Sequence, residues 1–292
     1  MTVELTRGEL TCLIAPSLGG SITQLRLADR DILRPTPIDA RSPIETACFP
    51  LIPFANRIRN GRMAFMHREY RLTPHALAMP HAHHGHGWQA QWSVQRQTSD
   101  FAELLYRHEA TAGWDWRYSA RQQFQLLDQG IAVTIQIENH DQRRQMPTGC
   151  GLHPYFVRSA QSAIVAESSA WWVNDAEGVA DQRIASSLFL KDSPVLISQL
   201  DGTDNFFEGE SLSVLQDGFG FSLSGDKMVG FHVYVPPDEC FFCVEPVSHV
   251  PDSFGKGQFK EDECIPPGSS RTWHWKMEIA TQHSQVKIFF KS

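Results

Sequence analysis

The sequence lacks the features that would direct it to a membrane, a nucleic acid or a nucleotide. No run approaches the roughly 18 apolar residues of a membrane span. The formal net charge of −7 argues against nucleic acid, which requires a basic face. No phosphate-cradling glycine loop, no G-x-S-x-G nucleophile motif and no cofactor fingerprint is present. These absences fit a small neutral substrate, without requiring one, and predict no cofactor.

A secretory signal is also missing, because residues 1–13 contain no basic stretch followed by an apolar one. The six cysteines are scattered, and we expect them to be free thiols in a reducing compartment, the cytoplasm. Cys240 and Cys243 form a C-x-x-C pair in a strand-like run, without a second such pair. We interpret them as two core cysteines rather than as a zinc or redox site.

Helical periodicity is absent as well, and no segment predicts a helix of three turns. Alternation of period two recurs instead. In residues 131–138, isoleucine and valine alternate with Thr134, Gln136 and Glu138, which predicts a half-buried strand. A turn at Asp128 makes residues 117–138 a candidate hairpin, and the residues from Phe65 to Leu72 predict another strand.

The distribution of glycine and proline bears on domain organisation. The 20 glycines and 17 prolines are spread along the chain and mark no linker. We therefore expect one all-β domain over residues 1–292. It should be a large antiparallel β-sandwich of many short strands packed sheet on sheet.

The stretch Met146–Phe156 contains one histidine, His153, between glycines and a proline. Gly149 and Gly151 permit close backbone approach, and Pro154 favours an extended conformation at His153. A histidine held on a rigid backbone suits general acid or base catalysis near neutral pH. The alternative is an inert, hydrogen-bonded histidine in a turn.

A carboxylate with a similar setting follows the apolar run Phe241-Phe-Cys-Val. Glu245 lies where this strand leaves the core, and Pro246 ends the strand. Partial desolvation would raise the pKa of Glu245 and suit it to act as a base. The alternative is an edge-strand glutamate in water.

Two further segments offer polar groups that could bind a ligand. Arg57 follows two prolines in an apolar setting, where its donors could hold a hydroxyl or carboxylate or, equally, tie down loop carbonyls. Asp204 lies in a turn-rich segment beside two phenylalanines, and its alternative role is an Asx turn.

The tract His81-Ala-His-His-Gly-His-Gly-Trp88 contains four histidines in six residues. Histidine-rich tracts can bind metal, but helical spacings such as H-E-x-x-H are missing. Gly85 and Gly87 instead indicate a tight loop that carries a histidine to a pocket. We favour a loop histidine over a metal ligand, because three or four convergent ligands cannot be assembled from the sequence.

Taken in order, these segments resemble the aldose 1-epimerase (galactose mutarotase-like) family. The resemblance covers nearly the whole chain and is carried by Asn56-Arg57-Ile58, His84-Gly85, Gly151-Leu-His-Pro-Tyr-Phe156, Leu200–Phe207 and Glu245-Pro246. It implies a β-supersandwich that interconverts the α and β anomers of free aldoses without metal or nucleotide. His153 then looks like the acid on the ring oxygen and Glu245 like the base on the anomeric hydroxyl. The remaining implied residues, which would hold the sugar oxygens, are His84, Arg57 and Asp204.

The sequence departs from the family pattern at two places. His84 and His86 compete for one role, and we favour His84 because it directly precedes the first glycine. Val157 replaces the asparagine found in galactose-active members, so the resemblance does not identify galactose as the substrate.

Other functions on this fold stay open. One is a non-catalytic sugar-binding or regulatory module, which would not need both His153 and Glu245. Another is a lyase or a glycoside hydrolase, in which Glu245 and Asp204 would flank the bond. The leading interpretation is an epimerase with a monosaccharide substrate and no nucleic acid or membrane partner, acting as a monomer or homodimer.

Overall fold

Alternating residues form antiparallel strands along the computed structural model, which describes residues 2–281. Tyr118–Leu127 and Gly130–Asn139 are the two strands of the hairpin expected over 117–138, and they pair antiparallel along their full length. Buried and half-buried residues alternate along both strands, as expected where one face packs in a core. The predicted domain also includes Met1 and residues 282–292, which lie outside the described residues.

Within residues 2–281, twenty-six strands account for most of the regular structure. In chain order the first thirteen are β1 (Val3–Arg7), β2 (Leu10–Ala15), β3 (Ser21–Leu27), β4 (Arg30–Asp31), β5 (Cys48–Leu51), β6 (Arg57–Ile58), β7 (Arg62–Phe65), β8 (Arg68–Arg71), β9 (Ala82–His83), β10 (Ser93–Gln97), β11 (Phe101–His108), β12 (Tyr118–Leu127) and β13 (Gly130–Asn139). The others are β14 (Met146–Pro147), β15 (Gly151–Val157), β16 (Ala163–Ala166), β17 (Ala170–Asn174), β18 (Ala180–Ile184), β19 (Val195–Leu196), β20 (Asp204–Glu208), β21 (Ser211–Gln216), β22 (Phe219–Gly225), β23 (Gly230–Tyr234), β24 (Phe241–Val247), β25 (Cys264–Ile265) and β26 (Ser270–Thr281).

Helical structure within residues 2–281 is limited to 3₁₀ turns of three residues. These turns are Pro43–Glu45, Arg59–Gly61, Ala76–Ala78, Gly87–Gln89, Ile197–Gln199 and Glu261–Glu263. The expectation that no helix reaches three turns is confirmed for this part of the chain. No helix found there has the length and apolar character needed to span a membrane.

The strands form two large sheets. The eleven-stranded sheet has the order β1-β2-β3-β5-β15-β24-β23-β20-β17-β18, with β4 paired to β3. The nine-stranded sheet has the order β10-β11-β12-β13-β26-β22-β21-β16-β19. Three two-stranded ribbons, β6–β9, β7–β8 and β14–β25, lie outside both sheets.

The two large sheets pack face to face. The ring of Phe156 in β15 lies 5.6 Å from that of Phe242 in β24 and 5.9 Å from that of Phe221 in the nine-stranded sheet. All three rings belong to one buried cluster that also contains Ile135 and Trp275. The fold is therefore an antiparallel β-sandwich, as the sequence predicts.

The outer face of the eleven-stranded sheet is buried at its centre as well. Nearly every residue of β5, β15 and β24 is buried. Phe156 and Phe242 face the other sheet, whereas Phe49, Tyr155 and Cys243 form part of a second apolar cluster on the opposite side. Because successive side chains of a strand point to opposite faces, these strands carry one apolar core on each side.

Two local expectations are wrong. The residues from Phe65 to Leu72 do not form one strand. Phe65 ends β7 and Arg68–Arg71 is β8, and the two strands form a hairpin because Met66 and His67 adopt left-handed backbone angles and reverse the chain. Of the C-x-x-C pair, Cys243 is buried but Cys240 is exposed, since Cys240 lies in the turn before β24. All six cysteines are free thiols, as expected.

We expect Phe156→Ala to lower the free energy of unfolding by about 3–5 kcal/mol, because loss of the ring leaves a cavity between the two sheets. The fully exposed Ile38 provides the control, and Ile38→Ala should stay within about 0.5 kcal/mol of wild type. Chemical denaturation measures both. A loss below about 1 kcal/mol for Phe156→Ala would contradict the packing described.

Candidate active site

His153 and Glu245 lie next to each other on adjacent strands. β15 pairs with β24 so that Gly151 faces Val247 and Tyr155 faces Cys243, and His153 and Glu245 lie between these two pairs. His153 Nε2 is 3.2 Å from Glu245 Oε1. The residues are 7% and 3% exposed. Two groups far apart in sequence thus form one buried acid–base pair.

Burial sets the protonation of this pair. It raises the pKa of Glu245 from its ordinary value of 4.5 to about 7; the charge on His232 lowers the pKa by a smaller amount, as does that on Arg57, whereas the charge on Asp204 raises it further. It lowers the pKa of His153 from 6.5 to about 3. Between these two values the pair holds one proton, and that proton resides on Glu245.

Aromatic rings surround the imidazole. The His153 ring stacks on Phe49 with centroids 4.4 Å apart and on Tyr155 at 4.7 Å. Trp88 stacks on the far side of this group, 5.0 Å from Phe49. These rings remove water from His153 and fix the plane of its imidazole.

Asp204 joins the site through His232, a residue that the sequence analysis did not select. His232 Nε2 is 2.6 Å from Asp204 Oδ1, and Asp204 Oδ2 is 3.5 Å from an Arg57 guanidinium nitrogen. Burial raises the pKa of Asp204, but the bond to His232 and the charges of His232 and Arg57 outweigh it and lower the pKa to about 2. Asp204 is therefore an ionised carboxylate at neutral pH.

His232 is oriented from its other side by Asn56. The Asn56 Oδ1 atom accepts the Arg57 backbone N–H at 2.7 Å, which leaves Nδ2 to donate to His232 Nδ1 at 3.2 Å. A signal for His232 was present in the sequence, because it alternates with the core residues Phe231 and Val233. That pattern places it on the opposite face, beside Glu245, its register partner.

Two buried histidines hold the backbone that presents Asn56 and Arg57. His84 Nδ1 accepts the Asn56 N–H at 3.0 Å, and His249 Nε2 accepts the neighbouring Ala55 N–H at 2.9 Å. Burial lowers the pKa of both imidazoles, that of His249 to about 4. His84 is therefore neutral, with its proton on Nε2, and can donate one hydrogen bond to a ligand.

The structure separates His84 from His86. The His84 ring lies 5.4 Å from the ring of His153. His86 instead contacts Tyr118 Oη at 2.8 Å and lines a different cavity with His108. The histidine tract therefore spreads over two cavities, because His84 and Gly85 adopt left-handed angles that turn the chain between them.

One group of residues in the described part of the chain approaches metal-ligand geometry. A ligand atom from each of His84, His153 and Glu245 lies within 4.8 Å of the others. His84 fits such a site poorly, because Nδ1 accepts the Asn56 N–H and neutral Nε2 carries the proton. A metal would require that backbone hydrogen bond to break.

All five residues predicted from the sequence line one cavity of about 300 Å³: Arg57, His84, His153, Asp204 and Glu245. This volume is at the lower end of the range of small-molecule sites, about 300–1,000 Å³. The cavity is also lined by residues that were not selected from the sequence, among them Arg34, Phe49, His232 and Tyr234. The arrangement can exchange protons with a small polyhydroxylated ligand and orient it through charged and neutral donors.

Solved structures show which class of protein shares this fold. A candidate aldose 1-epimerase of Escherichia coli K12 is similar with a TM-score of 0.87 and 25% identity, covering 96% of this chain and 99% of that chain. A galactose mutarotase-like protein of Clostridium acetobutylicum gives a TM-score of 0.85 at 16% identity, covering 96% and 95%. The fold is thus that of the mutarotase-like β-sandwiches.

Sequence comparison identifies the family. The chain is 27% identical over 248 residues to the uncharacterized protein YphB of Escherichia coli K12, covering 80% of this chain and 84% of YphB. The sequence model of the family described as aldose 1-epimerase matches residues 1–278. The chain belongs to the aldose 1-epimerase family.

The raised pKa of Glu245 predicts a pH-dependent difference in stability between wild type and Glu245→Gln. Because the folded state holds this proton more tightly than the unfolded state, the stabilisation is complete below about pH 4.5 and is lost as the pH rises through about 7. Glu245→Gln should therefore gain about 3 kcal/mol relative to wild type over that range. Denaturant titrations at several pH values measure this difference.

The exposed Glu239 is the matched control. The difference between wild type and Glu239→Gln should not change with pH. If the difference in stability between wild type and Glu245→Gln were also independent of pH, the buried, protonated state of Glu245 would be contradicted.

Proposed function

We propose that this protein is an aldose 1-epimerase, an isomerase that interconverts the α and β anomers of a free aldose. The observation that carries the proposal is the buried contact between His153 and Glu245, which sets an acid and a base 3.2 Å apart in one small cavity. Membership of the family supports the reaction class. A module that only binds sugar has no need of such a pair.

In the proposed reaction, His153 Nε2 gives a proton to the ring oxygen while Glu245 takes the proton of the anomeric hydroxyl. The bond between carbon 1 and the ring oxygen breaks, and the open-chain aldehyde forms. Rotation about the bond between carbons 1 and 2 exposes the other face of the carbonyl. The ring then closes with the two residues in reversed roles.

The proton count of the pair matches this cycle. Ring opening starts with the proton on His153 and ends with one on Glu245, so the pair carries one proton throughout. Burial keeps that single proton on the pair below about pH 7. A sugar hydroxyl that donates to Glu245 stabilises the carboxylate and thereby favours transfer of the proton to His153.

The other predicted residues would hold the sugar. His84 offers an Nε2–H donor, Arg57 offers guanidinium donors, and ionised Asp204 accepts from hydroxyl groups. We extend the proposal to residues 1–292 as one catalytic domain. A cytoplasmic location and a monomeric or homodimeric state stay predictions.

We expect His153→Ala and Glu245→Gln each to lower the enzyme-dependent rate of anomer interconversion by about 10²–10⁴-fold, the usual contribution of a positioned acid or base. NMR exchange spectroscopy or polarimetry on a panel of freshly dissolved aldoses measures the rate. His67→Ala, at an exposed turn outside the cavity, is the control and should retain the wild-type rate. Wild-type activity in either active-site variant would refute the assigned roles.

The pH profile of kcat/KM tests the proton count. Above about pH 7 Glu245 loses the only proton of the pair, so His153 has none to donate. We expect kcat/KM to fall about tenfold per pH unit above that value and to be level just below it. After subtraction of the buffer-catalysed rate, a profile that stays level to about pH 9 would contradict this mechanism.

A further inference from the structure

Arg34 is a cation in the wall of the active-site cavity with unused donors. Its guanidinium carbon lies 3.8 Å from the centre of the Tyr155 ring and 4.5 Å from that of Phe241. One terminal nitrogen donates to the carbonyls of Ile44 and Thr46 at 2.6 and 2.8 Å. The Nε atom is buried without an acceptor and cannot reach a ligand, whereas the other terminal nitrogen, Nη1, makes no hydrogen bond to the described residues. Support of the Ile44–Thr46 segment therefore uses only part of this side chain.

The charge of Arg34 is not balanced within the described part of the cavity. Arg57 is matched by ionised Asp204, whereas no carboxylate of the described residues lies within ion-pair distance of Arg34. The pKa of Glu45 is lowered by the backbone N–H groups of Arg41 and Ser42 and, more weakly, by the charge of Arg34, but Glu45 does not line the cavity. Glu245 holds a proton below about pH 7 and contributes no charge there. A protein with a formal net charge of −7 thus presents a cavity with excess positive charge. Such a cavity favours an anionic ligand.

The position of Arg34 indicates where that negative charge would lie. Arg34 and His153 both pack against the Tyr155 ring, at 3.8 and 4.7 Å, and both line the cavity. In the proposed reaction His153 acts on the ring oxygen. Of the two carbons bonded to the ring oxygen, carbon 1 carries the hydroxyl assigned to Glu245. The substituent of carbon 5 is therefore the one free to extend towards Arg34.

We propose that the preferred substrate is an aldose with an anionic group, phosphate or carboxylate, at carbon 6, and that Arg34 binds this group. Arginine suits this task because its planar donors match the oxygens of both groups. The inference rests on the proposed reaction of His153 and Glu245, whose orientation of the sugar it uses.

The first experiment compares substrates with the wild-type protein. NMR exchange spectroscopy gives kcat/KM for glucose, glucose 6-phosphate and glucuronate, and for the three corresponding galactose sugars. In each series we expect kcat/KM for one anionic sugar to be about 10–100-fold higher than for its neutral parent, as a charge-assisted hydrogen bond implies. Whether phosphate or carboxylate gives the larger value identifies the group. Neutral sugars that react as efficiently as both anionic forms would overturn the proposal.

The second experiment assigns the preference to Arg34. Arg34→Gln should reduce the ratio of anionic to neutral kcat/KM about tenfold or more, and Arg34→Lys, which keeps the charge, should retain most of it. The matched control is Arg144, which also lies near an aromatic ring, that of Trp116, and donates to a backbone carbonyl, but lies outside the cavity. Arg144→Gln should leave the ratio unchanged.

An equal loss for all sugars in Arg34→Gln would show that Arg34 only supports the Ile44–Thr46 segment, and would overturn the proposal. If Arg34→Gln does not fold, the ratio of anionic to neutral kcat/KM in the wild type and in Arg34→Lys still tests the proposal.

Calorimetric titration with methyl α-glucoside 6-phosphate and methyl α-glucoside, whose rings cannot open, separates the proposed anion binding from the proposed reaction. Arg34-dependent preference for the phosphate without interconversion of any aldose would refute the epimerase reaction alone. Interconversion of neutral aldoses without anion preference would refute only the role of Arg34.

Discussion

The exclusion of water from one imidazole and one carboxyl group is the constraint on which the site depends. In water, His153 and Glu245 would ionise near their ordinary pKa values and could carry opposite charges. In the cavity, burial disfavours the charged form of each, so the pair carries one proton as two neutral groups. A small change in surroundings, such as a hydroxyl donating to Glu245, can then move the proton.

This desolvation requires a sheet with cores on both faces. The nine-stranded sheet covers one side of β15 and β24, and the rings of Phe49, Trp88 and Tyr155 cover the other. Close pairing of the two strands depends on Gly151, because a Cβ atom there would lie 2.6 Å from the carbonyl oxygen of Pro246. The glycine beside the catalytic candidate thus has a packing role that places the pair in contact.

The groups that surround the pair are fixed by hydrogen bonds between distant segments. His84 and His249 accept consecutive backbone N–H groups from Asn56 and Ala55, and Asn56 in turn orients His232. Each imidazole is thereby held in one tautomer, which decides whether it can donate to a ligand or bind a metal. The hydrogen-bonding groups that the cavity presents therefore follow from backbone contacts as much as from residue type.

The sequence by itself determined the antiparallel β class, the hairpin ending in Gly130–Asn139, and the identity of the residues able to carry acid–base chemistry. Alternation and turn residues are local patterns, and strands follow them directly. It did not foresee the reversal at Met66 and His67, because neither is a usual turn residue. The exposure of Cys240 was also missed, because Cys240 lies between the turn at Pro236-Pro-Asp and the start of β24 rather than in the strand.

Only the tertiary structure decided which of these groups meet. The contact of His153 with Glu245 and the position of His232 depend on pairing between strands far apart in the chain. His84 and Arg34 reach the same cavity from segments outside these strands. No local pattern encodes that register, because it is set by the packing of complete sheet faces. Burial, and with it the pKa values that define the chemistry, exists only once those faces have closed.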